Sequence, residues 1–394
     1  MVRGKSYAAT VVMLVAFATL QLSSAQAATS RTPSAAVEVV YTVQGEAITT
    51  FNVDPTTGQA MQVGQPLQVG SGPMIWQLAT TPDDRFIYVM ATGNDNDETL
   101  SAYATDAQGV PQAPAIQNFR MRNVSQPAAN TVSVDPNGNF AYVTLGKVTQ
   151  NGGSIASTIY LFLIDANSGK LTPQGTQGAF TFSPCCGWAG PDGFNSAGTR
   201  FYETTSSSVG GSAGADYYYQ PVDLQTGALG KRSFLIDGEY DSMYDVVSVA
   251  IGDSLIAQSD SSEAWVNVYP FEPNPKTALI HCTAGMLPQC AGAWQILLDP
   301  SGQYLLITTS ADSPFVVTRI DLNNKALVPT GGLIPDHDDS PYFSPDGTLF
   351  YMAKWGNGNP TVVQIYLFNP ADGTVTVGGH ISTQATAVYT ADRS

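Results

Sequence analysis

The stretch Ser344-Pro345-Asp346-Gly347-Thr348-Leu349-Phe350-Tyr351 holds a tight turn followed at once by an apolar, aromatic run. Related turns recur along the chain, each after a short apolar segment. They are Pro82-Asp83-Asp84, Pro136-Asn137-Gly138, Asn195-Ser196-Ala197-Gly198, Ile251-Gly252-Asp253, Pro300-Ser301-Gly302 and Pro345-Asp346-Gly347. Residues that tolerate unusual φ angles between β-branched and aromatic runs predict two strands joined by a tight turn.

A second kind of turn follows later in each unit. It occurs as Asp54-Pro55-Thr56-Thr57-Gly58, Asp165-Ala166-Asn167-Ser168-Gly169, Asp223-Leu224-Gln225-Thr226-Gly227 and Asn369-Pro370-Ala371-Asp372-Gly373. Asp or Asn opens such turns by bonding the local backbone, and Gly supplies a positive φ at the end. The repeating unit is therefore a four-stranded antiparallel meander of roughly 50 residues, the size of a propeller blade.

Seven second strands can be counted, beginning with Val39-Val40-Tyr41, but only six first strands precede them. We expect Thr386-Ala387-Val388-Tyr389-Thr390 to supply the missing strand, so that strands from both ends of the chain share one blade. This arrangement leaves no open sheet edge at the junction. The predicted fold class is all-β, a seven-bladed β-propeller, and the alternatives are six or eight blades.

The pattern of Ser344-Pro345-Asp346-Gly347, Leu349-Phe350-Tyr351 and Asn369-Pro370-Ala371-Asp372-Gly373 resembles the lactonase or YVTN family of seven-bladed propellers. That family includes enzymes of the 6-phosphogluconolactonase type. The resemblance covers essentially residues 37–390 and rests on turns and strands. It implies the propeller fold and, as a possible activity, hydrolysis of a sugar lactone.

The first 27 residues have the pattern of a secretory signal peptide. Arg3 and Lys5 precede an apolar segment, and Ala25-Gln26-Ala27 offers a cleavage site. We therefore expect a signal peptide over residues 1–27 and a single propeller domain over residues 28–394, exported to the periplasm or the extracellular medium. The alternative is an uncleaved anchor.

The chain is acidic, with 16 basic and 32 acidic residues and a net charge of −16. This balance disfavours nucleic acid and anionic membrane surfaces as partners. No segment after the leader approaches the 18 apolar residues of a membrane span. We expect a monomer without membrane insertion that takes a small polar molecule or a sugar lactone.

Candidate site residues come from the predicted starts of the innermost strands, which ring one mouth of the central channel. The position six residues before the turn proline, where the lactonase-like enzymes often carry His, is occupied by Trp76, Asn130, Ala189, Asp245, Trp294 and Asp339. With Gln77 and Gln295, the indoles and the amide would bind a polyol, a sugar lactone or a cation. The alternative is that these side chains only fill the channel end together with water.

Catalysis, if present, would fall to the acidic residues of the same mouth. Asp245 or Asp339 would act as the base for water, and His337 lies close to Asp339 in the loop that enters the seventh blade. No cofactor motif occurs. Ca²⁺ is the cation considered, with the acidic segment Asn94-Asp95-Asn96-Asp97-Glu98 as one possible holder and a solvated loop as the alternative.

Four cysteines occur in loops that lead into first strands. We predict a Cys282–Cys290 disulfide, because the two residues enclose seven others and export favours oxidation. Cys185 and Cys186 are adjacent, and they would either bond to one another in a strained ring or pair outward. The function predicted overall is an exported lactonase-like propeller that binds a small polar ligand or a cation at the channel mouth, with lactone hydrolysis as the alternative.

Overall fold

The computed structural model describes most of the chain after residue 36. The described ranges are 37–70, 74–93, 97–123, 127–148, 155–182, 191–209, 212–238, 247–260, 263–309, 313–335, 341–356, 359–382 and 387–390. The predicted signal peptide lies outside these ranges. From Glu38 onward the chain forms one compact unit.

Twenty-eight strands form seven four-stranded antiparallel sheets arranged in a ring, so the chain is a seven-bladed β-propeller as the sequence predicts. Blade 1 contains β1 (Glu38–Gln44), β2 (Ala47–Val53), β3 (Ala60–Gln68) and β28 (Ala387–Thr390). Blade 2 contains β4 (Met74–Thr80), β5 (Phe86–Thr92), β6 (Asp97–Thr105) and β7 (Pro111–Asn123). Blade 3 contains β8 (Pro127–Val134), β9 (Phe140–Val148), β10 (Ile155–Ile164) and β11 (Leu171–Phe182).

The remaining blades repeat the same order along the chain. Blade 4 contains β12 (Pro191–Phe194), β13 (Arg200–Val209), β14 (Ser212–Pro221) and β15 (Ser233–Gly238). Blade 5 contains β16 (Val247–Ile251), β17 (Leu255–Asp260), β18 (Trp265–Pro270) and β19 (Ile280–Thr283), followed by a 3₁₀ turn over Pro288–Cys290. Blade 6 contains β20 (Gln295–Leu298), β21 (Tyr304–Thr308), β22 (Phe315–Asp321) and β23 (Ala326–Ile334). Blade 7 contains β24 (Pro341–Phe343), β25 (Leu349–Gly356), β26 (Asn359–Phe368) and β27 (Val375–Ser382).

The two predicted kinds of turn are held by acidic side chains. In blade 3, the Asp135 carboxylate accepts hydrogen bonds from the backbone N–H groups of Asn137, Asn139 and Phe140 at 2.6–3.1 Å, which closes the turn between first and second strands. In the second kind of turn, Asp223 does the same for the residues that follow it. These local bonds explain why the turn sequences locate the strands so well.

Tyrosines on second strands bond each blade to the next. The hydroxyls of Tyr41, Tyr88 and Tyr142 donate to the carbonyls of Gly109, Gly169 and Gly227 at 2.7, 3.1 and 2.6 Å, respectively. Each acceptor lies in the second turn of the following blade. Because these three tyrosines are buried, water cannot replace either partner when one of these hydrogen bonds is lost.

Blade 1 combines strands from both ends of the chain. Strand β28 pairs antiparallel with β1, with Tyr41 opposite Tyr389 and Thr42 opposite Val388. This is the pairing that the sequence predicts for the C-terminal segment. On the outer side, the backbone N–H of Gly379 in blade 7 donates to the Gly58 carbonyl in blade 1 at 3.0 Å.

Among the residues that the structure describes, no helix has the length and apolar character needed to cross a bilayer.

Candidate functional site

Each blade presents one unpaired strand edge to the centre of the ring. Strands β28, β4, β8, β12, β16, β20 and β24 lie at the end of their sheets and pair only with the second strand of the same blade. An edge strand carries a row of N–H and C=O groups without ladder partners. The inner strands therefore bring backbone donors and acceptors to the central channel, and these groups need water or a ligand.

A cavity of about 620 Å³ occupies part of this channel. Its walls come from the inner strands of blades 2, 3, 4 and 7 and from turn residues of blade 6. The lining residues are Gln77, Leu78, Ala79, Thr80, Val132, Ser133, Val134, Pro136, Gly193, Phe194, Asn195, Ser196, Pro300, Phe343, Ser344 and Pro345. The volume falls in the range of about 300–1,000 Å³ that is typical of small-molecule sites.

The cavity lies toward one particular end of the channel. It begins at Gln77, in the middle of β4, and reaches Pro136, Pro300 and Pro345 in the turns between first and second strands. We call this the turn end. The mouth proposed from the sequence lies at the opposite end, where the inner strands begin.

Trp76 and Asn130 lie on the inner strands of neighbouring blades. The Trp76 indole N–H donates to the Thr92 hydroxyl at 2.5 Å, and its ring packs against the apolar core between blades 2 and 3. The Asn130 side chain is 2% exposed, and its Nδ2 donates to Glu98 Oε1 at 2.6 Å. The Asn130 Oδ1 atom is buried and has no hydrogen-bond partner in the described ranges.

Glu98 is a site residue that the sequence analysis placed wrongly, because it was counted in an acidic loop expected to be solvated or to hold Ca²⁺. The structure places it in β6 with a fully buried side chain, bonded to Asn130. The run of acidic residues hid the point at which the strand begins. In the ranges that the structure covers, no three His, Cys, Asp or Glu side chains are grouped as a metal site would require.

Trp294 and Gln295 stand at the start of the inner strand of blade 6. The Trp294 backbone N–H donates to the Thr308 carbonyl at 2.7 Å, and its side chain is 44% exposed. Gln295 is half-buried as the first residue of β20. Of the predicted ligand-binding residues, Gln77 alone lines the turn-end cavity.

Four further positions were predicted to lie at the mouth. Ala189, Asp245, His337 and Asp339 all lie outside the described residues. The proposed catalytic roles of Asp245, Asp339 and His337 therefore stay predictions.

The cysteines divide in the same way. Cys282 and Cys290 form the predicted disulfide, with a Cα–Cα distance of 6.0 Å. Cys282 lies in the outer strand β19 of blade 5 rather than in a loop as expected, and Cys290 lies in the 3₁₀ turn that follows it. Cys185 and Cys186 lie outside the described residues.

No family model and no curated protein sequence matches the chain. Solved structures do match along most of its length. A candidate 6-phosphogluconolactonase from Bacteroides uniformis is 16% identical, with a TM-score of 0.56, and covers 90% of this chain and 99% of its own. The periplasmic gluconolactonase of Pseudomonas aeruginosa is 14% identical, with the same TM-score and the same two coverages. A protein from Lactobacillus plantarum is 12% identical, with a TM-score of 0.56, and also covers 90% of this chain.

The chain is thus a seven-bladed β-propeller with a central channel, an architecture similar to that of these solved structures. At these levels of identity the similarity establishes the architecture.

Proposed function

We propose that the protein is an exported lactonase-like propeller that binds a small polar ligand in its central channel. The observation that carries the proposal is the central channel, toward which the inner strands of the seven blades turn their free edges. Backbone donors and acceptors alternate along such an edge, which suits a ligand that carries several hydroxyl or carbonyl groups.

Two side chains support binding at the mouth. The buried Asn130 Oδ1 atom lacks a partner in the described part of the chain, and its amide orientation is held by Glu98. An unpaired buried acceptor costs about 1–3 kcal/mol, a cost that a ligand hydroxyl would remove. The exposed Trp294 indole offers a flat face on which an apolar sugar face or a cation can stack.

Hydrolysis of a sugar lactone is the second candidate function. It is favoured by the shared architecture with the Pseudomonas aeruginosa periplasmic gluconolactonase and the Bacteroides uniformis protein. In this scheme Asp245 or Asp339 removes a proton from water, which attacks the lactone carbonyl carbon. The bond between that carbon and the ring oxygen breaks, the ring oxygen takes up the proton, and a hydroxy acid results.

Export is part of the proposal. The leader-like residues 1–27, the Cys282–Cys290 disulfide and a periplasmic structural neighbour all support it. Mass spectrometry of the secreted protein should find the mature chain beginning at Ala28. A protein that retains residues 1–27 in the cytoplasm would contradict this part of the proposal.

The decisive experiment is a lactone panel assayed on the mature protein with and without Ca²⁺. Wild type is compared with Asp245→Asn and Asp339→Asn. A matched control is Asp223→Asn, because Asp223 opens an exposed outer turn and Asn369 fills the same role in blade 7. Turnover that is lost in either mouth variant and retained in the control supports hydrolysis. Ligand binding that persists when Asp245, Asp339 and Trp294 are all changed would place the site outside this mouth.

A further inference from the structure

The turn end of the channel has a lining without charge. None of the 16 cavity residues found within the described ranges is an Asp, Glu, Lys, Arg or His. A site for a phosphorylated or carboxylated ligand normally offers Arg, Lys or a helix N-terminus to the anion. The cavity walls offer strand edges, aliphatic side chains and prolines in their place.

Several polar side chains of the cavity already form hydrogen bonds within the protein. The Asn195 carbonyl oxygen accepts the Arg200 backbone N–H, Ser196 bonds to Asp253, and the Ser344 hydroxyl bonds to the Asp346 carboxylate. Gln77 differs from these, because its Oε1 atom is buried without a hydrogen-bond partner in the described part of the chain. Gln77, Ser133 and the inner-strand backbones are the groups left to recognise a ligand.

Carboxylates surround this end of the channel in the turns between first and second strands. They are Asp83, Asp135, Asp253, Asp299 and Asp346. Asp299 accepts hydrogen bonds from the backbone N–H groups of Ser301 and Tyr304, whereas Asp253 accepts from Ser196 of the neighbouring blade. Partial burial raises the pKa of Asp83, but hydrogen bonds from Thr81 and Arg85 outweigh it and leave the pKa below its ordinary value. The five carboxylates outnumber the guanidinium groups of Arg85 and Arg200 in the same turns, so the local field opposes the entry of anions.

We propose that the turn-end cavity is a separate binding site for a neutral polyhydroxy compound, such as a non-phosphorylated sugar, aldonolactone or polyol. Hydroxyl groups both donate and accept, so they can pair with alternating N–H and C=O groups of a strand edge. The aliphatic and proline surfaces receive the apolar face of the same molecule. This inference rests on the proposed function and deepens it, since it concerns the same channel, but of the residues predicted at the mouth it uses Gln77 alone and it does not require turnover.

The test uses isothermal titration calorimetry on the mature protein with three neutral probes: D-glucose, D-glucitol and D-glucono-1,5-lactone. The 6-phosphate of each and D-glucosamine are titrated in parallel. We expect at least one neutral probe to bind, with its 6-phosphate at least tenfold weaker and no preference for the amine. Failure of all neutral probes at millimolar concentration would overturn the inference, as would equal or tighter binding of a phosphate or of the amine.

Variants then locate the site. Ser133→Leu fills the cavity and should weaken the neutral probe at least tenfold, whereas Ser382→Leu, the same change on the exposed outer strand of blade 7, should alter affinity less than twofold. Gln77→Leu removes the unpaired amide at nearly constant size and keeps the test decisive if Ser133→Leu does not fold. Loss of binding in Trp294→Ala with full binding in Ser133→Leu would move the ligand to the mouth, which supports the proposed function and overturns this inference. Loss of binding in Ser133→Leu with full binding in Trp294→Ala would support the turn-end site and contradict binding at the mouth.

Discussion

Arg232→Met should destabilise the propeller by about 3 kcal/mol at pH 7, and most of this penalty should vanish near pH 4.5. The reason lies in a charged pair inside blade 4. Glu203 on β13 is 1% exposed, and the Arg232 Nε atom lies 2.7 Å from its Oε2 atom. Gln220 donates to the other carboxylate oxygen, and the Arg232 guanidinium lies 3.6 Å from the Tyr218 ring centroid.

The size of the stability loss depends on how the Glu203 carboxylate responds when Arg232 is removed. Burial raises the pKa of Glu203 above 4.5 even though Arg232 and Gln220 oppose the shift. Without Arg232, the buried group can avoid an unpaired charge by taking up a proton. At pH 7, about 2.5 units above its ordinary pKa of 4.5, this protonation costs about 3 kcal/mol. That value is the upper limit of the charge penalty.

The pH dependence of this stability penalty follows from the raised pKa of Glu203. A pKa that is higher in the folded than in the unfolded chain gives stability that is present below the unfolded pKa and is lost as pH rises through the folded pKa. The penalty in the variant should therefore shrink by about 1.4 kcal/mol for each pH unit below 7. The lost contact with the Tyr218 ring, about 0.5–1 kcal/mol, should remain at every pH.

Urea unfolding of wild type and variant at pH 7, 6 and 5 measures these differences. Arg319→Met is the matched control, because Arg319 is 54% exposed and lies 3.6 Å from Asp321 at the surface. It should change stability little, since exposed pairs are screened by solvent. The double variant Glu203→Gln/Arg232→Met should recover much of the loss. A penalty for Arg232→Met that is equal at pH 7 and pH 5, or one below about 1 kcal/mol at pH 7, would show that the Glu203 charge does not set the loss of stability.

Three further changes address the bonds between and within blades. Tyr142→Phe removes the hydroxyl that donates to Gly227 and should lower the free energy of unfolding in urea by about 1–3 kcal/mol. The control Tyr160→Phe should cost little, because the Tyr160 hydroxyl has no hydrogen bond in the described ranges. Equal losses in the two variants would contradict the role of the Tyr142 hydroxyl between blades. Gly227→Ala should lower the free energy of unfolding by more than about 1 kcal/mol, because φ is +70° and the new Cβ would lie 2.6 Å from the Phe140 ring. Gly285→Ala is the control, since no atom lies within 4 Å of the Cβ it would add. A Gly227→Ala variant as stable as wild type would contradict this steric clash. Cys282→Ala/Cys290→Ala should lower stability by about 2.5 kcal/mol from the loop entropy alone, and a reducing agent should lower wild type to the same melting temperature but leave the variant unchanged.

The fold could be predicted from the sequence because its determinants are local and repeated. The turns at Asp135 and Asp223 bond their own backbones, so their residue types locate the strands on either side. The pairing of Tyr41 with Tyr389 follows from counting strands, since six complete first strands leave one blade in need of another. The turn residues and the number of strands were together sufficient to predict the fold.

The candidate site could be predicted only in part, because its determinants are distant in sequence or have no residue signature. Glu98 was missed because acidic neighbours concealed the start of β6, and nothing in the sequence joins it to Asn130. Glu203 and Arg232 likewise meet only through the pairing of strands in blade 4. The turn-end cavity is lined by residues of five blades that are distant in sequence, and a free strand edge has no particular amino-acid composition.

We propose that the central channel of this seven-bladed propeller is its ligand site. The most direct test is a crystal structure of the mature protein soaked with a saturating neutral aldonolactone. We expect electron density for the lactone, or for its open-chain acid, within the channel beside β4 and β8. Density for the compound only on the outer faces of the blades, with ordered water alone in the channel, would contradict it.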